Sequence, residues 1–114
     1  MQVQVNTDNH IEGGAELTRE VEAAVDAALG RFGDRITRVE VHLGDENSSA
    51  KGGDNDKRCA MEARLAGLSP ITVIHHASTI TQAIDGAAEK LEKTLTRTVE
   101  RLDDPKGRTS YGGS

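Results

Sequence analysis

Aromatic side chains are nearly missing from this chain: among 114 residues there is one Phe, one Tyr and no Trp. Recognition by base stacking is therefore short of parts. Cysteine occurs once, at Cys59, which excludes an internal disulfide and a cysteine-built metal site. No apolar run approaches the ~20 residues of a membrane span. The opening MQVQVNTDNH has neither the basic start nor the apolar stretch of a signal peptide. A surplus of positive charge is missing too. The formal net charge is −5, which argues against a general nucleic-acid coat but leaves room for a local basic patch. Together these absences point to a single soluble domain of the cytoplasm, with no cofactor and no metal implied.

What is present is periodicity. MQVQVN alternates Val3 and Val5 with Gln2, Gln4 and Asn6, the period of a half-buried strand. From about Gly14 the apolar residues Leu17, Val21, Ala24, Val25, Ala28, Leu29 and Phe32 recur at helical steps, and Gly33 stands where a helix end wants a left-handed residue. RITRVEVHL alternates again and predicts Thr37, Val39, Val41 and Leu43 on one face, with Arg38, Glu40 and His42 on the other. The Gly-, Ser-, Asn- and Asp-rich segment that follows predicts a mobile loop over 44–55. KRCAMEARL and ITVIHH predict two further strands. Ser78 is a plausible N-cap for a long helix over 79–103, which Pro105 ends.

The resulting fold class is α+β, a two-layer α/β sandwich of order β-α-β-β-β-α. Each strand has one apolar face, so a four-stranded sheet with both helices on one face is expected, the other face being open and polar. Val3, Val41, Met61, Val73, Leu91 and Leu95 are the expected core between the layers. Residues 1–104 form the domain, and 105–114 read as a flexible C-terminal tail.

The second helix carries the feature most in need of explanation. At about 100° per residue, with Ile84 at zero, Ile80, Ala87, Leu91, Leu95, Thr98 and Leu102 fall within about 60° of it, on the core face. Lys90, Lys93, Arg97 and Arg101 gather between about 180° and 260°, while Asp85, Glu89, Glu92, Glu100 and Asp103 gather between about 80° and 160°. In the first helix Glu16, Arg19, Glu20, Glu22, Asp26 and Arg31 are interleaved without such sorting. Two readings fit: a solvated helix face with ordinary pairing such as Glu89–Lys93, or a basic stripe that faces phosphates.

Three stretches, MQVQVNTDNHIE, FGDRITRVEVHL and above all QAIDGAAEKLEKTLTR, resemble the short ribosome hibernation-promoting factors and ribosome-associated inhibitors, once called sigma-54 modulation proteins. The resemblance runs from Met1 to about Leu102. It implies the same β-α-β-β-β-α fold and no enzymatic activity. It also implies binding to the small ribosomal subunit and its rRNA near the decoding region, with inhibition of translation in stress or stationary phase. The family's rRNA contacts come largely from basic residues on its helices. That points to Lys90, Lys93, Arg97 and Arg101, and to Arg19 and Arg31, the basic residues the first helix offers. Family members are usually more basic than this chain. A monomer when free, with no membrane and no small-molecule substrate as partner, completes the expectation. The alternative is a regulatory protein-interaction domain of the same fold with weak or no ribosome binding.

Other motifs carry less. His75 and His76 are adjacent on a strand, so they point to opposite faces and do not chelate one ion. Cys59 alternates onto the apolar face, as a small core residue does. His10 and His42 are isolated, and the glycine pairs lack a phosphate-loop pattern. Arg58 and Arg64 lie on the open sheet face, where a cross-strand pair with Glu40 is expected. No nucleophile–base pair is visible.

Overall fold

A computed structural model describes residues 1–9, 11–46 and 56–103. The elements are β1 (Gln2–Thr7), α1 (Ala15–Leu29), a 3-10 segment (Gly30–Arg35), β2 (Ile36–Asp45), β3 (Lys57–Leu65), β4 (Ile71–Ala77) and α2 (Ile80–Asp103). The sheet runs in the order β1-β2-β3-β4. β1 pairs parallel with β2, as a β-α-β crossover requires, while β2–β3 and β3–β4 are antiparallel. The architecture is the expected α+β sandwich.

One apolar cluster holds the two layers together. Val21, Val25 and Leu29 of α1 and Ile84, Leu91 and Leu95 of α2 meet Val39, Val41, Cys59, Met61 and Ala63 of the central strands, all fully buried. Val3 and Val73, on the two edge strands, are half-buried against this cluster, because an edge strand is covered from one side fewer. Alanines at 83, 87 and 88 line the buried face of α2 and let the helix lie close to the sheet.

The alternation fails at one point. Thr37 is exposed and Ile36 buried, because the β2–β3 register shifts between Ile36 and Arg38. A bulge there adds one residue and reverses the facing of the strand start. Ile36 gains the core, and the Thr37 hydroxyl donates to the Arg64 carbonyl at 3.1 Å. The apolar repeat of the first helix also outlasts the helix. α1 stops at Leu29, and Phe32 reaches the core from the 3-10 segment, whose left-handed residue is Gly33 (φ 58°).

At the other helix, Thr79 rather than Ser78 is the cap. Its Oγ1 accepts the Gln82 amide at 3.1 Å and its carbonyl accepts the Ala83 amide. Ser78 instead donates to the Gln82 side chain. Leu102, expected on the core face, is 40% exposed, whereas Val99, one turn before it, is still packed against the core. Gly44 and Asp45, expected in a mobile loop, belong to β2. Glu46 follows with its amide donating to the Asp56 carbonyl at 2.7 Å, while residues 47–55 of that expected loop, and the tail after Asp103, lie outside the described residues.

Candidate nucleic-acid interface

α2 rests on β3 and β4 with α1 beside it, so its two charged flanks look in different directions. The acidic flank faces α1. There Arg31, just past the end of α1, donates to Glu92 Oε2 at 2.9 Å and to Thr96 Oγ1, and its guanidinium lies 4.4 Å from the centroid of the Phe32 ring. The hydrogen bond from Arg31 holds the Glu92 carboxyl below the usual carboxylate range. The basic flank faces the outer edge of the sheet. There Lys90 Nζ donates to the Ile74 carbonyl of the edge strand β4 at 2.9 Å. A lysine across an edge-strand carbonyl also blocks pairing by another chain.

The six sequence-derived candidates therefore divide. Lys90, Lys93, Arg97 and Arg101 come together along one flank of α2, as the wheel requires, and all four are exposed. Lys93 has a loose partner in Glu89 at 3.7 Å, with both side chains about two-thirds exposed. Arg97 and Arg101 make no ion pair among the described residues and stand on the last two turns of α2. Arg19 lies on α1 and is likewise exposed without an ion pair among the described residues. Arg31 sits on the opposite, acidic flank and is occupied by Glu92.

Along α2 the threonines Thr94, Thr96 and Thr98 donate to the carbonyls one turn back, at 3.0, 2.8 and 2.9 Å, Thr94 standing nearest the basic flank and Thr96 on the acidic one. Their hydroxyls are satisfied within the helix. What remains available to a ligand on this flank is cationic charge.

The open sheet face is self-neutralised. Arg38 pairs with Glu40 at 2.7 Å and also donates to the Gln4 side chain. Arg64 meets Glu62 at 3.8 Å, and Arg58 meets Glu46 at 3.5 Å. Glu40 is thus not the partner of Arg58 or Arg64. The register sets Arg38 opposite Arg64 and Glu40 opposite Glu62, so these four charges pair along their own strands instead of across. His76 Nε2 lies 2.9 Å from Glu46 Oε1 on this face, whereas His75 turns toward α2. The Cys59 thiol is fully buried, and burial pushes its pKa up to about 12. Among the described residues no three His, Cys, Asp or Glu side chains gather as a metal site would need.

Sequence reading alone missed the tie from Arg31 to Glu92 and the use of Lys90 at the sheet edge. The first depends on how α1 and α2 lie against each other. The second needed the strand order, which periodicity does not contain.

The sequence matches the family model for the sigma 54 modulation protein / S30EA ribosomal protein over residues 3–103. No curated protein matches it significantly. Among solved structures, the fold is similar to that of a ribosomal subunit interface protein from Coxiella burnetii, with a TM-score of 0.69 at 17% identity, covering 87% of this chain and 98% of that one. It is also similar to the N-terminal domain of Protein Y from Thermus thermophilus, with a TM-score of 0.68 at 19% identity, covering 86% of this chain and 99% of that one. At these identities the likeness concerns the fold. No helix among the described residues is long and apolar enough to cross a membrane.

Proposed function

The chain belongs to the sigma 54 modulation protein / S30EA ribosomal protein family, whose members are non-enzymatic and ribosome-associated, and from that premise we propose that it is a hibernation factor. It binds the small ribosomal subunit and its rRNA near the decoding region, as a monomer in the cytoplasm, and inhibits translation in stress or stationary phase. The observation that carries this reading is the exposed basic flank of α2, with Arg97 and Arg101 free of ion pairs among the described residues. Guanidinium groups held this way can meet phosphate oxygens without first breaking a bond within the protein.

In this reading Lys93, Arg97 and Arg101 make the first phosphate contacts. Lys90 joins them by exchanging its bond to the Ile74 carbonyl, and Arg19 adds charge from α1. Arg31 has most to give up, since a phosphate contact there replaces its bond to Glu92.

The test is co-sedimentation with purified small subunits at matched salt. Lys93→Glu with Arg97→Glu is expected to abolish binding and leave the fold intact, because both side chains are exposed. Wild-type binding by that double variant would remove this flank from the function.

A further inference from the structure

α1 and α2 run side by side in the same direction, tied at two levels. The Thr81 hydroxyl in the first turn of α2 donates to Glu20 of α1 at 2.7 Å, and Arg31 joins Glu92 lower down. Between and above these ties the outer seam of the helix layer is hollow. A cleft of about 680 Å³ opens where Ile11, Leu17 and Ile80 meet, with Glu16 and Glu20 on its rim. A second, of about 400 Å³, has Ala24, Ala28 and Ala88 as its floor and Asp85 and Glu89 on its rim. Ala24 lies one turn beyond Glu20, and Asp85 one turn beyond Thr81, so the two clefts lie in line as a trough that the Thr81–Glu20 hydrogen bond crosses.

The charge of this trough has one sign. Its two cations are spoken for: Arg31 is held by Glu92, and Lys57 by Asp45 at 3.4 Å and Asp56 at 3.0 Å. Glu16 and Asp85 make no ion pair among the described residues, and Glu89 has only the loose, exposed Lys93. Carboxylates on both walls repel RNA and attract a cation. An alanine floor between two helices lets a third backbone approach closely, as ridge-and-groove packing requires.

We propose that the α1–α2 trough docks a basic amphipathic helix of a partner protein, with small apolar residues laid on the alanine floor and lysines or arginines reaching the two rims. This goes beyond the ribosome reading and does not rest on it. The trough lies on the acidic flank of α2 and the phosphate-facing cations on the other, so one helix can serve a basic protein and an RNA at the same time. It also explains why the signs on α2 are sorted rather than interleaved.

The probe is a fluorescein-labelled peptide of about 16 residues, long enough to span the trough as a helix. It is built from Lys, Ala and Leu, with the apolar residues at i, i+3, i+4 and i+7. A scrambled peptide of the same composition and a short RNA duplex serve as controls. Anisotropy at physiological salt is expected to show binding of the patterned peptide well above the scrambled one. Asp85→Asn with Glu89→Gln should weaken it about tenfold, the equivalent of ~1.4 kcal/mol. Ala27→Arg, at an exposed position on the same seam, should abolish it. Lys93→Glu with Arg97→Glu should bind the peptide at least as tightly as wild type does, because it frees Glu89 from Lys93, and this separates the surface from the ribosome contact. Equal binding of the scrambled peptide, indifference to the Asp85 and Glu89 changes, or displacement of the peptide by the RNA duplex would each overturn the proposal.

Discussion

A Cβ placed on Gly86 would stand 2.1 Å from Cδ2 of His75 and 2.7 Å from its Cγ. The imidazole of the edge strand thus lies directly against the α2 backbone, in space that only glycine leaves open. A mid-helix glycine costs roughly 0.8–1.0 kcal/mol relative to alanine, so the helix accepts a local penalty to seat the ring.

This makes the effect of one substitution depend on the other. Gly86→Ala alone is expected to destabilise by about 1–3 kcal/mol, because the ring must move against a packed layer. In a His75→Ala background the same change is expected to stabilise by roughly 1 kcal/mol, the ordinary helix preference. Urea unfolding of the four proteins of the cycle reads this directly. Additive effects would show that the ring is not held by the glycine.

On the open face, Arg38 opposes Arg64 and Glu40 opposes Glu62, although like charges directly across antiparallel strands repel. Exchanging the two charges of β3, Glu62→Arg with Arg64→Glu, keeps the composition and sets opposite charges across both rungs. The double variant is expected to gain about 0.2–1 kcal/mol per rung over wild type. The expected gain in thermal midpoint is largest at low salt and shrinks as salt rises. An unchanged midpoint at low salt would mean that the along-strand pairs already supply the whole effect.

The elements of this fold were readable because period two and period 3.6 are written plainly in KRCAMEARL and in the Ile84–Leu91–Leu95 stripe. The misreadings have local causes. Alternation alone puts Thr37 on the core face, because a bulge resets the period without altering the apolar pattern before or after it. Ser78 and Thr79 are equally good caps on chemistry alone, and only the turn geometry chooses between them. At the candidate interface, the grouping of Lys90, Lys93, Arg97 and Arg101 followed from helical geometry. The occupation of Arg31 by Glu92 did not, because it depends on how α1 and α2 lie against each other. The same holds for the sheet-edge role of Lys90.

Glu92 offers a test of that packing through pH. Its carboxyl titrates below the ordinary value of 4.5, first because Arg31 donates a hydrogen bond to the charged form. A lowered folded value means that the contribution to stability is present above pH 4.5 and is lost as pH falls through the folded value. Glu92→Gln is therefore expected to be less stable than wild type at neutral pH, with the difference closing in acid. Arg31→Ala should behave in the same way. Denaturant midpoints across the acid range decide it, and a gap that persists in strong acid would assign the loss to packing instead of charge.

The last prediction concerns how the basic flank meets its target. Binding to nucleic acid releases condensed counterions, about 0.7–0.9 for each phosphate neutralised, so log affinity falls with log salt in proportion to the contacts. If Lys90, Lys93, Arg97 and Arg101 each neutralise one phosphate, the slope for the small subunit is expected near −3 to −4. Arg97→Gln should reduce its magnitude by about one contact, since that guanidinium has no ion pair among the described residues to fall back on. Lys90→Gln should reduce it by less, because Lys90 must first leave the Ile74 carbonyl. Glu89→Gln frees Lys93 from its loose partner and should leave binding unchanged or tighten it. The measurement is subunit binding at four or five salt concentrations for each variant. A slope that Arg97→Gln does not change would mean that this flank is only a solvated helix face, and that the contact with the ribosome lies elsewhere on the domain.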